Sequence, residues 1–85
     1  MTLQIANESR LLLDVDSRVL TLNYASVSGK AIFDICSLEG RILNTGEVHL
    51  SGLTLIDVSL MNFGHYMIII MDGDKIHRES FILAS

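Results

Sequence analysis

Apolar residues occur along this chain in short runs in which hydrophobic and polar positions alternate, and Gly, Asn, Asp and Ser separate the runs. β-branched and aromatic residues are frequent in the runs, and helical periodicity is weak throughout. The pattern therefore predicts strands. The expected strands are Leu3–Ile5, Leu11–Val15, Arg18–Tyr24, Lys30–Cys36, Arg41–Leu50, Leu55–Val58, Tyr66–Met71 and Lys75–Leu83.

Two alternatives stay open near the N-terminus. Residues 14–17, Asp-Val-Asp-Ser, are also compatible with a turn. Leu3–Ile5 and Leu11–Val15 are also compatible with a single interrupted edge strand.

Period-two alternation assigns each strand an inward face. Phe33 and Ile35 are expected to point into the core, because Asp34 between them is poorly suited to it. The side chains expected to form the core in this way are Leu20, Leu22, Tyr24, Phe33, Ile35, Tyr66, Ile68, Ile70, Ile76, Phe81 and Leu83.

The strand before the last turn is apolar on its opposite face as well, through Met67, Ile69 and Met71. A strand with two apolar faces is either covered on both sides or meets a partner. A second layer of the same domain and a contact surface both remain open. In either case the final hairpin is predicted to be the main stabilising unit. Lys75 lies where a charge would discourage edge-to-edge pairing of the last strand.

Glycines mark the expected turns. Asp72-Gly73 lies between two apolar runs and predicts a tight hairpin, because Asp-Gly readily adopts positive φ angles. Gly40, after Leu-Glu, predicts another tight turn. Gly46 and Gly52 are expected at bulges or loop ends.

The segment from Leu60 to Tyr66 has the pattern of a tyrosine corner. A Leu, then Gly64, then Tyr66 entering a long apolar strand are typical of Greek-key sandwiches. In that motif the phenol bonds to upstream backbone while its ring enters the core. We therefore interpret Tyr66 as a structural residue.

Length and composition narrow the fold class. The 85 residues suit a single domain, residues 1–85. A chain this short has a thin core, and with 49% hydrophobic residues an exposed apolar patch or partner surface is expected. Short strands at regular spacing, without helices or internal repeats, predict an immunoglobulin-like antiparallel β-sandwich of about seven or eight short strands.

Charge and cysteine usage exclude several classes. A net charge of −4 with only six basic residues disfavours nucleic-acid binding. The only cysteine is Cys36, so neither an internal disulfide nor a four-cysteine zinc site is possible. The longest apolar run, Tyr66–Met71, is too short for a membrane helix. Residues 1–5 lack the features of a secretory signal.

No constellation in the sequence predicts an active site, a metal site or a cofactor. The three histidines lack the spacing of metal ligands, and Cys36 has no basic neighbour to activate it. Asp72-Gly73-Asp74 begins like a calcium loop, but its twelfth position is Leu83 rather than Glu. Nucleophile elbows and phosphate-binding glycine loops are absent. We therefore expect a protein that is not an enzyme.

From about Ala31 to Leu83 the sequence resembles the C-terminal sorting domain of the type IX secretion system of Bacteroidetes. The resemblance covers a strand, a tight turn with Gly-Arg, a short strand, a Gly-x-Tyr strand and a final hairpin. The matching segments are Ile35–Leu43, Leu55–Leu60, Gly64–Ile70, Asp72–Ile76 and Phe81–Ile82. The family's opening Tyr-Pro-Asn-Pro segment has no counterpart.

This resemblance implies a module that a secretion apparatus recognises for export to the cell surface. The expected partner is then a protein of that apparatus or of the cell envelope, and a homo-oligomer through a strand edge or apolar face is compatible with it. The residues expected to serve structure or recognition are Gly40, Gly64, Tyr66, Met67, Ile69, Met71, Asp72, Gly73 and Lys75.

A second family is similar over a different part of the chain. Small exported Bacteroidetes proteins of unknown function share a segment like Asp16–Leu22, in the N-terminal half, followed by a variable loop and the later strands. That resemblance implies a free-standing immunoglobulin-like binding or structural protein with no known chemistry. Both resemblances imply an exported protein, in the periplasm, on the cell surface or secreted.

Overall fold

Every element of regular structure in the described residues is a β-strand. The computed structural model describes the backbone of residues 3–5 and all of residues 10–84. The strands are β1 Leu3–Ile5, β2 Leu11–Asp14, β3 Val19–Asn23, β4 Ala31–Ser37, β5 Ile42–Glu47, β6 Leu53–Asp57, β7 Gly64–Asp72 and β8 Lys75–Leu83. None of the described residues forms a helix that could cross a membrane.

The strands form two antiparallel sheets of four. The first sheet has the order β1-β2-β3-β6, and the second has the order β5-β4-β7-β8. The chain crosses between the sheets after β3, after β5 and after β6, so that strands distant in sequence become neighbours. This is the Greek-key connectivity of immunoglobulin-like sandwiches. The predicted all-β fold class is therefore confirmed.

Strand boundaries agree with expectation to within a few residues, and Lys75–Leu83 is reproduced at both ends. The chain turns directly after Asp14, where the backbone amide of Arg18 donates to the Asp14 carbonyl at 2.8 Å. The alternative in which Leu3–Ile5 and Leu11–Val15 form a single interrupted edge strand is wrong. β1 and β2 lie side by side and antiparallel, with Leu3 opposite Asp14, because the chain reverses direction between them.

The core lies between the sheets and follows the predicted alternation. Ile35 and Leu22 are fully buried. The other buried members of the core cluster are Leu11, Leu13, Leu20, Tyr24, Ala31, Phe33, Val48, Ile56, Val58, Tyr66, Ile68, Ile70, Phe81 and Leu83.

The prediction that Ile76 belongs to the core is wrong, since its side chain is 55% exposed. Phe81 and Leu83 point inward from β8, and the pairing of β7 with β8 runs without a bulge. Alternation counted back from these residues places every even-numbered position of β8, Ile76 included, on the outer side.

The prediction that Gly46 marks a bulge or a loop end is wrong. Gly46 lies inside β5 opposite Phe33, and the irregularity in this pair of strands is at Ile35 and Cys36. A Cβ on Gly46 would lie 2.8 Å from the Phe33 ring. Glycine is therefore required here for space. The expectation for Gly52 holds, because it ends the loop before β6 with a φ of 92°.

Candidate functional site

The outer side of the second sheet carries a largely apolar surface crossed by one charged row. We call the outward side chains of β4, β7 and β8, over the span where all three strands pair, the outer face. Its members, in strand order, are Ile32, Asp34, Cys36, Met67, Ile69, Met71, Ile76, Arg78 and Ser80.

Strand pairing arranges the outer face in three rows across β4, β7 and β8. In the middle row Ile69 lies between Asp34 and Arg78. Because neighbouring strands are about 4.8 Å apart, the strand positions of Asp34 and Arg78 differ by roughly 10 Å. The two opposite charges therefore stand on either side of an isoleucine.

The rows on either side of this charged row are mostly apolar. In one, Met71 lies between Ile32 and Ile76. In the other, Met67 lies between Cys36 and Ser80. On β4, β7 and β8 the charged row therefore lies between two uncharged rows, and the exposed Glu47 of β5 continues the row of Ile32 at the edge of the sheet.

Apart from Cys36, which is buried, the outer face is open to solvent in the described part of the chain. Ile32 is 45% exposed and Ile76 is 55% exposed, while Met67, Ile69 and Met71 are half-buried among their neighbours. Of the two alternatives for this face, a covering second layer is therefore wrong for the described residues. The inner face of the same sheet already packs against the first sheet, and a two-layer sandwich has no third layer to offer.

Asp34 is held in place on the outer face by its neighbour on β5. The Thr45 hydroxyl donates to Asp34 Oδ1 at 2.8 Å and also contacts the Phe33 carbonyl at 3.1 Å. Within residues 10–84 the ion pair observed is Arg10 with Glu79, at 3.5 Å, on another side of the molecule. Neither charge of the outer face takes part in it.

Tyr66 forms the predicted tyrosine corner, two residues after Gly64 begins β7. Its hydroxyl donates to the Asn62 carbonyl at 2.5 Å. Its ring is buried and stacks against Phe81 with the ring centres 5.8 Å apart. This arrangement fixes the β6–β7 loop to the core, and it supports a structural role for Tyr66.

Arg18 fixes the same loop from the first sheet. Its guanidinium donates from Nη2 to the Met61 carbonyl at 2.5 Å and lies over the Phe63 ring, 4.7 Å from its centre. Arg18 itself has a positive φ of 57° at the end of the β2–β3 turn. Nothing in the sequence pattern pointed to this contact.

The two predicted tight turns of the second sheet are both present. Gly40 lies in the β4–β5 turn, where its amide donates to the Ser37 carbonyl at 3.0 Å. Gly73 has a φ of 63° in the two-residue loop between Asp72 and Lys75, and Asp74 has no positive φ. Glycine at the first loop position is typical of a type II′ hairpin. Lys75 begins β8 and is exposed.

Asp72 does more than begin the hairpin, because its carboxylate is the acceptor for the β3–β4 loop. Its side chain is buried, with 2% exposed. Tyr24 Oη donates to it at 2.6 Å and the Val27 amide at 2.7 Å. The Ser26 hydroxyl donates at 3.0 Å, the Ser28 amide at 3.1 Å, and the Ser28 hydroxyl also bonds to it.

These hydrogen bonds determine the protonation state of Asp72. The Ser28 hydroxyl contributes most, followed by Tyr24, and together with the loop amides they hold the pKa of Asp72 far below its ordinary value. In return, the hydrogen bond to Asp72 raises the pKa of Tyr24. A carboxylate that accepts several bonds from its own chain has its lone pairs occupied. Asp72 is therefore a structural anion.

The remaining polar candidates do not converge. Within residues 10–84 no three His, Cys, Asp or Glu side chains are grouped so as to hold a metal ion. His49 contacts Ser51 in a loop, and the His77 ring lies against Tyr24 at 5.4 Å. His65 is exposed, and Cys36 is a buried free thiol.

A surface cleft of about 400 Å³ lies beside the tyrosine corner, between β5 and the β6–β7 loop. Leu60 on its rim is 99% exposed and Leu43 is 42% exposed. The Asn44 amide spans the cleft to the Asp57 carbonyl at 3.4 Å. Asp57 is the carboxylate among the residues that line the cleft.

The strand order and the tyrosine corner define an immunoglobulin-like β-sandwich. No protein-family model matches the chain, and no curated protein matches its sequence. The protein is therefore classified by its fold.

Proposed function

We propose that this chain is a non-catalytic β-sandwich module that acts by binding protein through its outer face, as a sorting module recognised by a bacterial secretion apparatus for export to the cell surface. The observation that carries the proposal is the apolar surface of β4, β7 and β8, on which Ile32 and Ile76 are exposed and Met67, Ile69 and Met71 lie half-buried between them. Methionine adapts to varied partner surfaces, and contiguous exposed apolar surface is typical of interaction sites.

The placement of the resembling segments supports the sorting role. Four of the five resembling segments lie in the second sheet, and Leu55–Leu60 lies in β6 of the first sheet and the loop that follows it. The sheet that would carry the recognition signal is thus the sheet that carries the outer face.

The test is export of a reporter. The chain is fused to the C-terminus of a signal-peptide-bearing reporter in a Bacteroidetes host, and surface reporter is measured in hosts with and without the type IX system. We expect surface reporter only where the system is present. Ile69→Asp should abolish it, whereas Leu53→Asp should not, since Leu53 is 54% exposed on the first sheet and lies outside the resembling segments. A reporter that never reaches the surface would remove the sorting role.

A free-standing exported binding or structural protein is the second candidate. It is favoured by the completeness of the first sheet, to which β2 and β3 contribute Leu11, Leu13, Leu20 and Leu22. The two candidates differ in the native reading frame upstream of this chain. A large cargo domain there favours sorting, and a signal peptide directly before the sandwich favours the free-standing protein.

A further inference from the structure

The outer face is self-complementary, and we propose that it binds a second copy of this chain face to face, about a twofold axis that runs along β7. The inference rests on the proposed function in that the outer face contacts protein, and a second copy would compete with the apparatus for that face. An isologous interface requires the same patch to match itself after a half-turn. The three rows of the outer face meet this requirement.

The symmetry operation exchanges β4 with β8. A half-turn about an axis along β7, lying in the plane of the interface, brings Ile69 opposite its own copy. Residues of β4 then face the residues of β8 that share their row. Ile32 of one copy meets Ile76 of the other in the row of Met71. The strands of the two copies then run roughly parallel to each other across the interface, as they do in the aligned packing of two β-sheets.

The charged row decides between this arrangement and others. Asp34 and Arg78 share the row of Ile69 on opposite sides of β7, so the half-turn places Asp34 of each copy against Arg78 of the other. Two ion pairs then flank the central isoleucines. A half-turn about an axis perpendicular to the strands would leave Asp34 facing Asp34, because it keeps each strand on its own side.

The area of the outer face determines how strongly two copies are expected to associate. Three strands about 4.8 Å apart, each six residues long with a rise of about 3.4 Å per residue, cover a patch of roughly 300 Å² in projection. Interfaces of this size form weak or transient complexes. The dimer is therefore expected to dissociate on dilution, and association should be measured up to about 1 mM, where weak complexes are populated.

Sedimentation of two charge-reversed variants, alone and mixed, tests the arrangement. Asp34→Arg gives each copy two positive charges in the row, and Arg78→Asp gives two negative charges. Each variant alone should associate at least about tenfold more weakly than the unmodified chain, because like charges meet. The equimolar mixture should associate at least as strongly as the unmodified chain, as a heterodimer in which every pair is opposite in sign.

The control pair is Glu39→Arg and Arg41→Asp, which reverses two exposed charges in the β4–β5 turn, outside the outer face. These variants should self-associate like the unmodified chain, alone and mixed. If either outer-face variant fails to give the strand-dominated circular dichroism of the unmodified chain, Ile32→Lys and Ile76→Asp replace it. These two residues face each other in the dimer and are exposed in the monomer.

Three results would overturn the proposal: an unmodified chain that stays monomeric at every concentration, single reversals that leave association unchanged, or a mixture that fails to associate. Each is independent of the sorting role. A monomeric chain that still exports the reporter in an Ile69-dependent way would remove the dimer and leave sorting. A dimer with the expected charge behaviour and no export would do the reverse.

Discussion

Tyr24 and Asp72 are 48 positions apart in sequence and are joined by a 2.6 Å hydrogen bond from the Tyr24 hydroxyl to Asp72 Oδ2. The bond links the end of β3 in the first sheet to the end of β7 in the second. Asp72 also accepts bonds from the Val27 and Ser28 amides, so the one carboxylate holds the whole β3–β4 loop.

Asp72→Asn should destabilise the domain. An amide offers one acceptor oxygen, and its NH₂ group would face hydroxyl and amide donors whichever way it turned. We expect a melting temperature lower by more than about 5 °C, since each kcal/mol shifts a domain of this size by about 4–8 °C. Asp74→Asn, two positions further along in the same turn, is the control and should leave the melting temperature nearly unchanged.

Acid should destabilise the native chain in part through Asp72. Its pKa is lowered in the folded state and lies near 3.9 in the unfolded chain, so the unfolded state takes up the proton first. The contribution is therefore complete near neutral pH and is lost as pH falls below about 5. Denaturant unfolding across pH should show a shallower acid limb in Asp72→Asn. A residual slope should persist, because Ser59 also lowers the pKa of Asp57.

Ile68 and Ile69 should respond oppositely to the same substitution. Ile68 is 1% exposed in the core, and Ile68→Asp should cost about 3 kcal/mol or more by burying a charge. Ile69 points to the outer face, so Ile69→Asp should leave a folded monomer and abolish association. Thermal melts and sedimentation of the two variants check this. Similar melting temperatures for both would mean that the faces of β7 are wrongly assigned.

Tyr66→Phe should remove one hydrogen bond and retain the ring packing against Phe81. The expected loss of unfolding free energy is about 1 kcal/mol, the usual net value of a neutral hydrogen bond. Tyr24→Phe should be the more harmful change, since its hydroxyl bonds to the charged Asp72. Urea unfolding of both variants gives the comparison, and equal losses would argue against a charged acceptor for Tyr24.

Gly46→Ala should be destabilising because of Phe33. The added methyl group would meet the buried ring at 2.8 Å, and overpacking of this kind costs about 1–3 kcal/mol. In a Phe33→Leu background the same substitution should cost clearly less, as a double-mutant cycle would reveal. Gly40→Ala serves as the comparison with open space around the Cβ, where only the φ of 89° penalises alanine. Its cost should not depend on Phe33.

Much of the second sheet could be predicted because its signals are local. The alternation of Tyr66, Ile68 and Ile70 identifies the inward face of β7, and Asp-Gly followed by a charged residue identifies the hairpin. Ile76 is hydrophobic, but it lies an odd number of positions from Phe81 and therefore on the opposite side of β8. Strict alternation from the end of β8 would have placed it outside.

Two relationships, on which the β3–β4 loop and the proposed interface depend, were not accessible from the pattern. Asp72 belongs to a hairpin by its neighbours in sequence, and its role as an acceptor depends on a loop more than 40 residues upstream. The charged row of the outer face depends on the register between β4 and β7, which are far apart in the chain. Non-local pairing of this kind leaves no periodic trace in the sequence.

The hydrogen bonds to Asp72 also affect when the β3–β4 loop can fold during synthesis. The Tyr24, Ser26 and Ser28 hydroxyls and the Val27 amide leave the ribosome 44 to 48 residues before the oxygen atoms they will bond to. Until β7 has emerged, these donors lack this acceptor. The β3–β4 loop is therefore among the last parts of the nascent chain to acquire its native conformation, although residues 24–30 lie in the first half of the sequence.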